Sequence, residues 1–139
     1  MSRKISEKAR KEVRRRAGFL CEYCHTTERW QYVRFTIDHV IPNEDDSIEN
    51  LALACFHCNR VKSNKTEIFD TEDNKTVSLF NPRRQDWKEH FEWSKDGLQI
   101  IPKTAIGRVT IAVLQLNRER ILRIREADVA VNRHPPNKD

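Results

Sequence analysis

The 139-residue chain has the size of one ordinary domain, and its apolar residues, 37% of the total, can form only a modest core. No apolar run approaches the roughly 20 residues that span a bilayer, and the N-terminal sequence MSRKISEKARKEVRRR lacks the apolar segment of a secretory signal. The composition therefore excludes a membrane-spanning protein and predicts a soluble, cytoplasmic one. The net charge of +5 is uneven, because residues 1–16 hold eight basic and two acidic residues. Such a segment is typical of a face that binds a polyanion, although a solvated helix face gives the same pattern.

The basic segment continues into a predicted helix over residues 6–17. Apolar residues recur every four positions from Ile5 to Ala17, and the rest of the surface is mostly Lys and Arg. Ser6 is a plausible N-cap, and Gly18 fits the position that follows the last turn. The candidate DNA contacts of this helix are Arg14, Arg15 and Arg16.

The four cysteines come as two CxxC pairs separated by thirty residues. A two-residue gap lets both thiolates of a pair bind one ion, and two such pairs complete a tetrahedral zinc site. Two disulfides are the alternative, which a cytosolic chain disfavours. Four sulfurs leave zinc no open position, so the metal is predicted to be structural. The predicted zinc ligands are Cys21, Cys24, Cys55 and Cys58.

Between and after the cysteine pairs, the pattern predicts strand, loop, strand and helix. Residues 32–42 are rich in β-branched and aromatic types, and the polar stretch that follows them is typical of a loop. The sequence LALA at 51–54 predicts a second strand, and a short helix is expected from Phe56 to about Ser63.

This part of the chain carries the sequences FTIDHVIP, IENL and CFHCNRVK, and it resembles the four-cysteine branch of the HNH endonuclease family over roughly residues 17–65. The matching elements are an Asp-His pair at the end of the first strand, an Asn before the second strand, and an Asn in the short helix with a basic residue three positions later. They are Asp38, His39, Asn50, Asn59 and Lys62. The family usually ends its signature with His, where this chain has Asn59. The resemblance implies an α+β fold with a ββα-metal core on a zinc knuckle.

The resemblance also implies metal-dependent hydrolysis of DNA phosphodiesters, with 5′-phosphate and 3′-hydroxyl products. This reaction needs an activated water and stabilisation of charge on the phosphoryl oxygens. An imidazole suits the first task, which makes His39 the expected general base. Mg²⁺ or Mn²⁺ suits the second, with oxygen ligands from Asp38 and Asn59. By resemblance, Asn50 orients His39 and the loop. The implied phosphate contacts are those of Arg60 and Lys62.

The Asp-His pair raises a geometric question. Neighbouring residues on a regular strand point to opposite faces, so Asp38 and His39 can line one site only if the backbone departs from regular β geometry. We therefore expect a distortion where the strand ends before Pro42. The alternative for the pair is a salt bridge at a strand end, and for Asn50 and Asn59 it is a capping role.

Beyond Lys65 the pattern predicts only structural elements. A strand is expected at 77–80, a hairpin at 90–101, and two helices at 104–116 and 118–130 with Asn117 as the N-cap of the second. The tryptophans at 30, 87 and 93 are expected to be core or hinge-packing residues and not platforms for base stacking. The predicted organisation is a basic helix, zinc knuckle and nuclease core at 1–67, an appendage packed on the same domain at 68–131, and a disordered tail at 132–139.

The predicted activity is that of an endonuclease that nicks one strand per site, with duplex DNA as its partner and no membrane partner. A homodimer, and a protein partner bound through the C-terminal appendage, stay open. The competing hypothesis is a non-catalytic zinc-containing module that binds nucleic acid, which gives no reason for the Asp, His and Asn residues to occur in this order. A mobile-element, restriction or toxin-type effector would share the nuclease chemistry.

Overall fold

The computed structural model describes residues 5–42 and 44–136. The chain forms two compact units: unit 1 contains Met1–Thr66 and Asn81–Arg84, and unit 2 contains Glu67–Phe80 and Gln85–Asp139. Short helices and two-stranded antiparallel sheets make up both units, which confirms the α+β class. Among the described helices, none combines the length and apolar character needed to cross a membrane.

Unit 1 begins with helix α1, Glu7–Arg16. The side chain of Ser6 accepts a hydrogen bond from the backbone N–H of Ala9 at 3.1 Å, so Ser6 is the N-cap as predicted. Gly18 follows the helix with φ of 63°, a left-handed conformation that glycine adopts without a steric penalty. Val13 on the inner face is fully buried, so the narrow apolar stripe of this basic helix faces the core of unit 1.

The centre of unit 1 is a ββα arrangement. Strand β1, Thr36–His39, pairs antiparallel with β2, Leu51–Ala54, and helix α2, Phe56–Lys62, follows directly. All four residues of β2 are buried, which explains the uniformly apolar sequence LALA. Strand β1 is shorter than the predicted range of 32–42, because residues 32–35 and 40–42 lie outside the strand.

The register of β1 corrects one expectation. Asp38 pairs with Ala52 and His39 with Leu51, so the ladder stays regular to the end of the strand. Because side chains alternate along a regular strand, Asp38 faces the interior and His39 the other side. The expected distortion of the backbone is therefore wrong, and the two residues do not share one face.

Unit 2 contains three further helices and two hairpins. Its elements are β3 (Glu67–Asp70), β4 (Lys75–Ser78), α3 (Trp87–His90), β5 (Phe91–Trp93), β6 (Ile100–Pro102), α4 (Ala105–Leu114) and α5 (Glu119–Ala130). Strand β3 pairs with β4, and β5 pairs with β6. Val77, Leu79 and Val109 form a buried cluster in this unit. The predicted hairpin and both predicted long helices are present, whereas β3 and α3 were not predicted.

Two smaller expectations need correction. The N-cap of α5 is Arg118, which makes no side-chain capping bond. The side chain of Asn117 instead accepts from the N–H of Ile100 and donates to its C=O, both at 2.8 Å. Trp30 does not pack in the core, since it is 55% exposed.

The predicted disordered tail is described only up to residue 136. Within that part His134 lies edge-on against Trp93, with ring centroids 4.4 Å apart. Residues 137–139 lie outside the described residues, and the prediction for them stays a prediction. The packing of the C-terminal appendage on the nuclease core also stays a prediction.

Candidate functional site

The four cysteines converge at one buried point of unit 1. The Sγ atoms of Cys21, Cys24, Cys55 and Cys58 all lie within 4.8 Å of one another. None of them is in a disulfide, and the Sγ atoms of Cys24 and Cys55 are 3.9 Å apart. Sulfurs bound to one tetrahedral ion at about 2.3 Å have this kind of mutual spacing. The two-disulfide alternative is therefore wrong, and the cluster fits one metal ion.

The ionisation of the cysteine thiols also indicates that the cluster binds a metal ion. Burial raises the pKa of the Cys21 thiol, and hydrogen bonds among the sulfurs raise the pKa of Cys58 while they lower that of Cys55. Four neighbouring sulfurs in an apolar interior cannot all be ionised unless a cation lies between them. Zinc is a divalent ion of this kind, and thiolates are among its preferred ligands.

The cysteine cluster is tied to the ββα arrangement in two ways. The Cys55 thiol accepts the N–H of Cys58 at 3.4 Å, so a cluster residue is also the N-cap of α2. Glu22, between the first two cysteines, accepts the N–H of Leu53 in β2 at 2.8 Å and pairs with Arg83. These contacts fix the start of α2 and the position of β2 relative to the sulfurs.

Asp38 lies on the buried face of β1, where it is only 5% exposed. The Tyr23 hydroxyl donates to its Oδ2 at 2.8 Å, and Lys62 Nζ lies 3.3 Å from the same oxygen. Burial raises the pKa of Asp38, and the Lys62 ammonium partly offsets that effect. Burial also raises the pKa of Tyr23, which keeps its hydroxyl protonated as a donor. The carboxylate is therefore held by one hydroxyl and one cation.

This arrangement corrects the expected role of Lys62. Its side chain is 2% exposed, and its ammonium also lies 3.3 Å from the carbonyl oxygen of His39. An ammonium enclosed in this way does not reach a phosphate at the surface. Lys62 balances the charge of Asp38 and links α2 to the end of β1.

His39 lies on the opposite face of β1, with 35% of its side chain exposed. Its Nε2 is 2.7 Å from Oδ1 of Asp46, a carboxylate in the loop that follows the strand. A carboxylate at this position accepts an Nε2–H, which leaves Nδ1 as the proton acceptor of the neutral ring. Sequence reasoning missed Asp46, because it is one of three neighbouring acids, and only the fold distinguishes it from Glu44 and Asp45.

Asn50 holds the loop that connects His39 to Asp46. Its Oδ1 accepts the N–H of Ile41 at 3.0 Å, and its Nδ2 donates to the C=O groups of Ile41 and Asp45, each at 3.1 Å. The three bonds hold both ends of the segment that separates His39 from Asp46. Asn50 thus holds the loop backbone, and the orienting role toward His39 that was expected of it stays a prediction.

Asn59 lies one turn before Lys62 on the same side of α2. Helix α2 begins at Phe56 with Cys55 as its N-cap, so Asn59 is not a cap. Its amide is half-buried and makes no hydrogen bond within the ranges 5–42 and 44–136. Its oxygen therefore has no protein donor there and can accept a ligand.

The arginines flanking this site differ in exposure. Arg60 is exposed, with its guanidinium carbon 5.8 Å from the ring centroid of Phe56. On α1, Arg14 pairs with Glu28 at 3.1 Å, and Arg16 donates to the C=O of Ile48 at 2.8 Å.

The expectation that three α1 arginines contact DNA therefore needs correction. Arg14 also donates to the C=O of Phe35, and Arg16 to that of Leu51, so both hold α1 against the rest of unit 1. Only Arg15, of these three, projects from the surface, with 72% of its side chain exposed.

Comparison with known proteins agrees with this geometry. Residues 21–65, which include both cysteine pairs and the ββα arrangement, match the family model described as HNH endonuclease. The chain is 29% identical over 136 residues to the Septu protein PtuA of Bacillus mycoides (strain KBAB4), an alignment that covers 76% of this chain. The chain spans 18% of the length of that relative. No solved structure matches the chain. The resemblance predicted from the sequence is thus confirmed for residues 21–65.

Proposed function

We propose that this chain is a metal-dependent endonuclease that hydrolyses DNA phosphodiesters and leaves 5′-phosphate and 3′-hydroxyl ends. The observation that carries the proposal is the His39 imidazole, which is accessible from solvent and held by Asp46 within the segment that matches HNH endonucleases. An imidazole held through one nitrogen presents the other in a fixed direction, as a general base requires.

In the proposed reaction, Nδ1 of His39 takes a proton from the water that attacks phosphorus. The Asp46 carboxylate, 2.7 Å from Nε2, stabilises the positive charge that the ring then carries. Asn50 keeps the loop in place through its three bonds to Ile41 and Asp45. Arg60 is exposed in the last turn of α2 and is the proposed contact for a substrate phosphate.

Oxygen ligands for a catalytic ion are proposed at Asp38 and Asn59. The donor set fits Mg²⁺ or Mn²⁺, because one residue offers a carboxylate and the other an amide oxygen without a protein donor among the described residues. Asp38 is also paired with the Lys62 ammonium, so an ion bound at this carboxylate would share it with that cation. When bound, a divalent ion would stabilise negative charge on the phosphoryl oxygens.

Structural zinc is proposed for the four-cysteine cluster. The sulfurs surround one buried point and are joined to β2 and α2, so zinc would hold in place the elements that carry the site. Four protein ligands leave no position for water or substrate, so this ion takes no part in hydrolysis.

A plasmid assay with zinc-loaded protein tests the proposal. Supercoiled DNA should be nicked when Mg²⁺ or Mn²⁺ is added and should stay intact when it is omitted. His39→Ala should reduce the nicking rate by about 10²–10⁴-fold, the usual contribution of a general base. Its zinc content and melting temperature should match those of the wild type, because the side chain is partly exposed.

His90→Ala in unit 2 is the matched control, and it should nick at the wild-type rate. If the zinc-loaded wild type binds DNA but cuts none with either ion, the chain is a non-catalytic nucleic-acid-binding module. Cleavage by His39→Ala within a few-fold of wild type would remove His39 from the mechanism.

A further inference from the structure

Unit 1 contains a groove that none of the proposed catalytic residues lines. Its volume is about 530 Å³, within the usual range of ligand sites. One wall comes from α1, and the other comes from the segment between the first cysteine pair and β1. The lining residues are Glu7, Lys11, Arg14, Phe19, Glu28, Arg29, Gln31, Tyr32 and Arg34.

The charge of the groove favours an anionic ligand. Four of its side chains are basic and two are acidic. The Glu28 carboxylate is already engaged, because it pairs with Arg14 at 3.1 Å and accepts the N–H of Phe35 at 2.6 Å. Lys11, Arg29 and Arg34 are exposed, and Glu7 is the one lining carboxylate that stays uncommitted among the described contacts. The groove therefore presents an excess of accessible positive charge.

Exposed aromatic and apolar side chains are concentrated beside these charges. Tyr32 is fully exposed, and Trp30 and Val33 are more than half exposed, all within four residues. Soluble proteins seldom leave such a cluster at the surface unless it binds a partner. The Arg29 guanidinium also lies over the Phe19 ring, 4.6 Å from its centroid. Two aromatic rings, those of Phe19 and Tyr32, therefore line the groove together with its exposed cations.

We propose that this groove binds an unpaired strand of nucleic acid, with bases stacked on Tyr32 and phosphates near Lys11, Arg29 and Arg34. Aromatic rings and guanidinium planes stack on unpaired bases, whereas paired DNA offers mainly base edges and phosphates. An acidic peptide would use the cations but would leave the exposed rings without a role. The proposal rests on the proposed function, since the strand would be an unpaired stretch of the nuclease substrate.

The position of the groove suits that substrate. Arg34 precedes His39 by five residues, a length of chain that spans at most about 18 Å. A strand held in the groove is therefore only a few nucleotides from the imidazole.

Fluorescence anisotropy with the zinc-loaded chain and no added divalent ion tests this inference. The probes are a labelled 20-nucleotide DNA strand, the same strand as RNA, and the DNA duplex. Both single strands should bind more tightly than the duplex, and the DNA and RNA arms show which sugar is preferred. Tyr32→Ala should weaken single-strand binding by roughly ten-fold to a hundred-fold, the usual cost of one lost stacking platform, and Tyr32→Phe should bind like wild type.

Lys11→Glu is compared with Lys8→Glu, which makes the same charge change on the same helix outside the groove lining. Lys11→Glu should weaken binding and reduce its salt dependence far more than Lys8→Glu. Four outcomes would each overturn the inference. The duplex could bind more tightly than the single strands, or the two lysine variants could have equal effects. Tyr32→Ala could bind like wild type, or the groove could bind polyglutamate in place of the oligonucleotide.

Plasmid nicking, measured separately, distinguishes this inference from the proposed function. If the chain nicks DNA but the groove variants bind normally, only the groove assignment fails. If single strands bind through the groove and nothing is cut, the groove assignment stands and the catalytic proposal fails.

Discussion

At the level of single residues, the structure replaces the predicted Asp-His pair by two separate pairs. Asp38 lies with Lys62 in the interior, and His39 lies with Asp46 at the surface. The alternation of side chains along β1 produces this separation. The contact between His39 and Asp46 can be tested directly.

Asp46 is expected to orient His39. Asp46→Ala should lower kcat by about ten-fold to a hundred-fold, part of the roughly 10²–10⁴-fold that a general base contributes, and leave KM nearly unchanged. Asp46→Asn keeps an oxygen acceptor and should retain more activity than the alanine variant. Imidazole ¹⁵N chemical shifts should show the Nε2–H tautomer in the wild type and a mixture in Asp46→Ala.

Glu44→Ala is the control, because Glu44 is an exposed acid in the same loop. Its kcat and its imidazole spectrum should match those of the wild type. Equal losses for Asp46→Ala and Glu44→Ala would mean that the loop charge matters and the hydrogen bond to His39 does not.

Cys58 and Asn59 adjoin in sequence, but we expect them to bind different metals. Cys58→Ser should release zinc and lower the melting temperature, since structural zinc contributes directly to folding free energy. Asn59→Ala should keep its zinc and stay within about ±0.5 kcal/mol of wild-type stability. It should lose nicking activity, whereas Asn59→Asp, with a charged oxygen ligand, should retain metal binding.

Zinc content, thermal melting and nicking rate are measured on the same preparations of these variants. Loss of zinc from Asn59→Ala would show that Asn59 supports the zinc site. The catalytic ion would then lack its second proposed ligand.

At the level of elements, helix α1 shows that a run of arginines can serve packing as well as binding. Arg16 donates to the backbone carbonyls of Ile48, shortly before β2, and of Leu51, the first residue of β2. Arg15, its neighbour, projects into solvent and pairs with Glu12 one turn away.

Arg16→Ala should therefore lower the free energy of unfolding by about 1–3 kcal/mol, because it removes charged hydrogen bonds to two carbonyls. Arg15→Ala, the same substitution one residue earlier, should stay within about ±0.5 kcal/mol. Urea unfolding of both variants provides the measurement. Equal stability of the two variants would show that the contacts of Arg16 contribute nothing to holding α1.

The elements that sequence predicted are those with strong local signals. Ser6 and Gly18 mark the ends of α1, and the apolar run at 51–54 marks β2. Strand β3 has no comparable signal, because its sequence EIFD is mixed in polarity and its ladder with β4 sets its structure. The convergence of the four cysteines could be predicted from their spacing alone. The partners of Lys62, Arg14 and Arg16 depend on backbone carbonyls and side chains brought together by folding, which residue type does not reveal.

At the level of the whole molecule, the described part of the chain contains one His39–Asp46 pair and one four-cysteine cluster. If this site hydrolyses DNA as proposed, one copy of it would cut one strand in each event. Plasmid should therefore accumulate as nicked circles before any linear DNA appears, at protein concentrations low enough to exclude self-association. Gel electrophoresis over time gives both products. Linear DNA that forms at the same initial rate as nicked circles would require two sites acting together.

The regular pairing of β1 with β2 also restricts insertions and deletions in this part of the chain. Insertion or deletion of one codon within Thr36–His39 would exchange the two faces of the strand, turning the Asp38 carboxylate outward and the His39 ring inward. The loop after the strand is limited in a different way, because Asn50 must still reach Ile41 and Asp45. Residues 31–34 lie outside the ladder and have neither restriction, although Tyr32 and Arg34 also line the proposed groove. Among related genes, we expect insertions and deletions to be absent within the strand, even where the residues themselves differ.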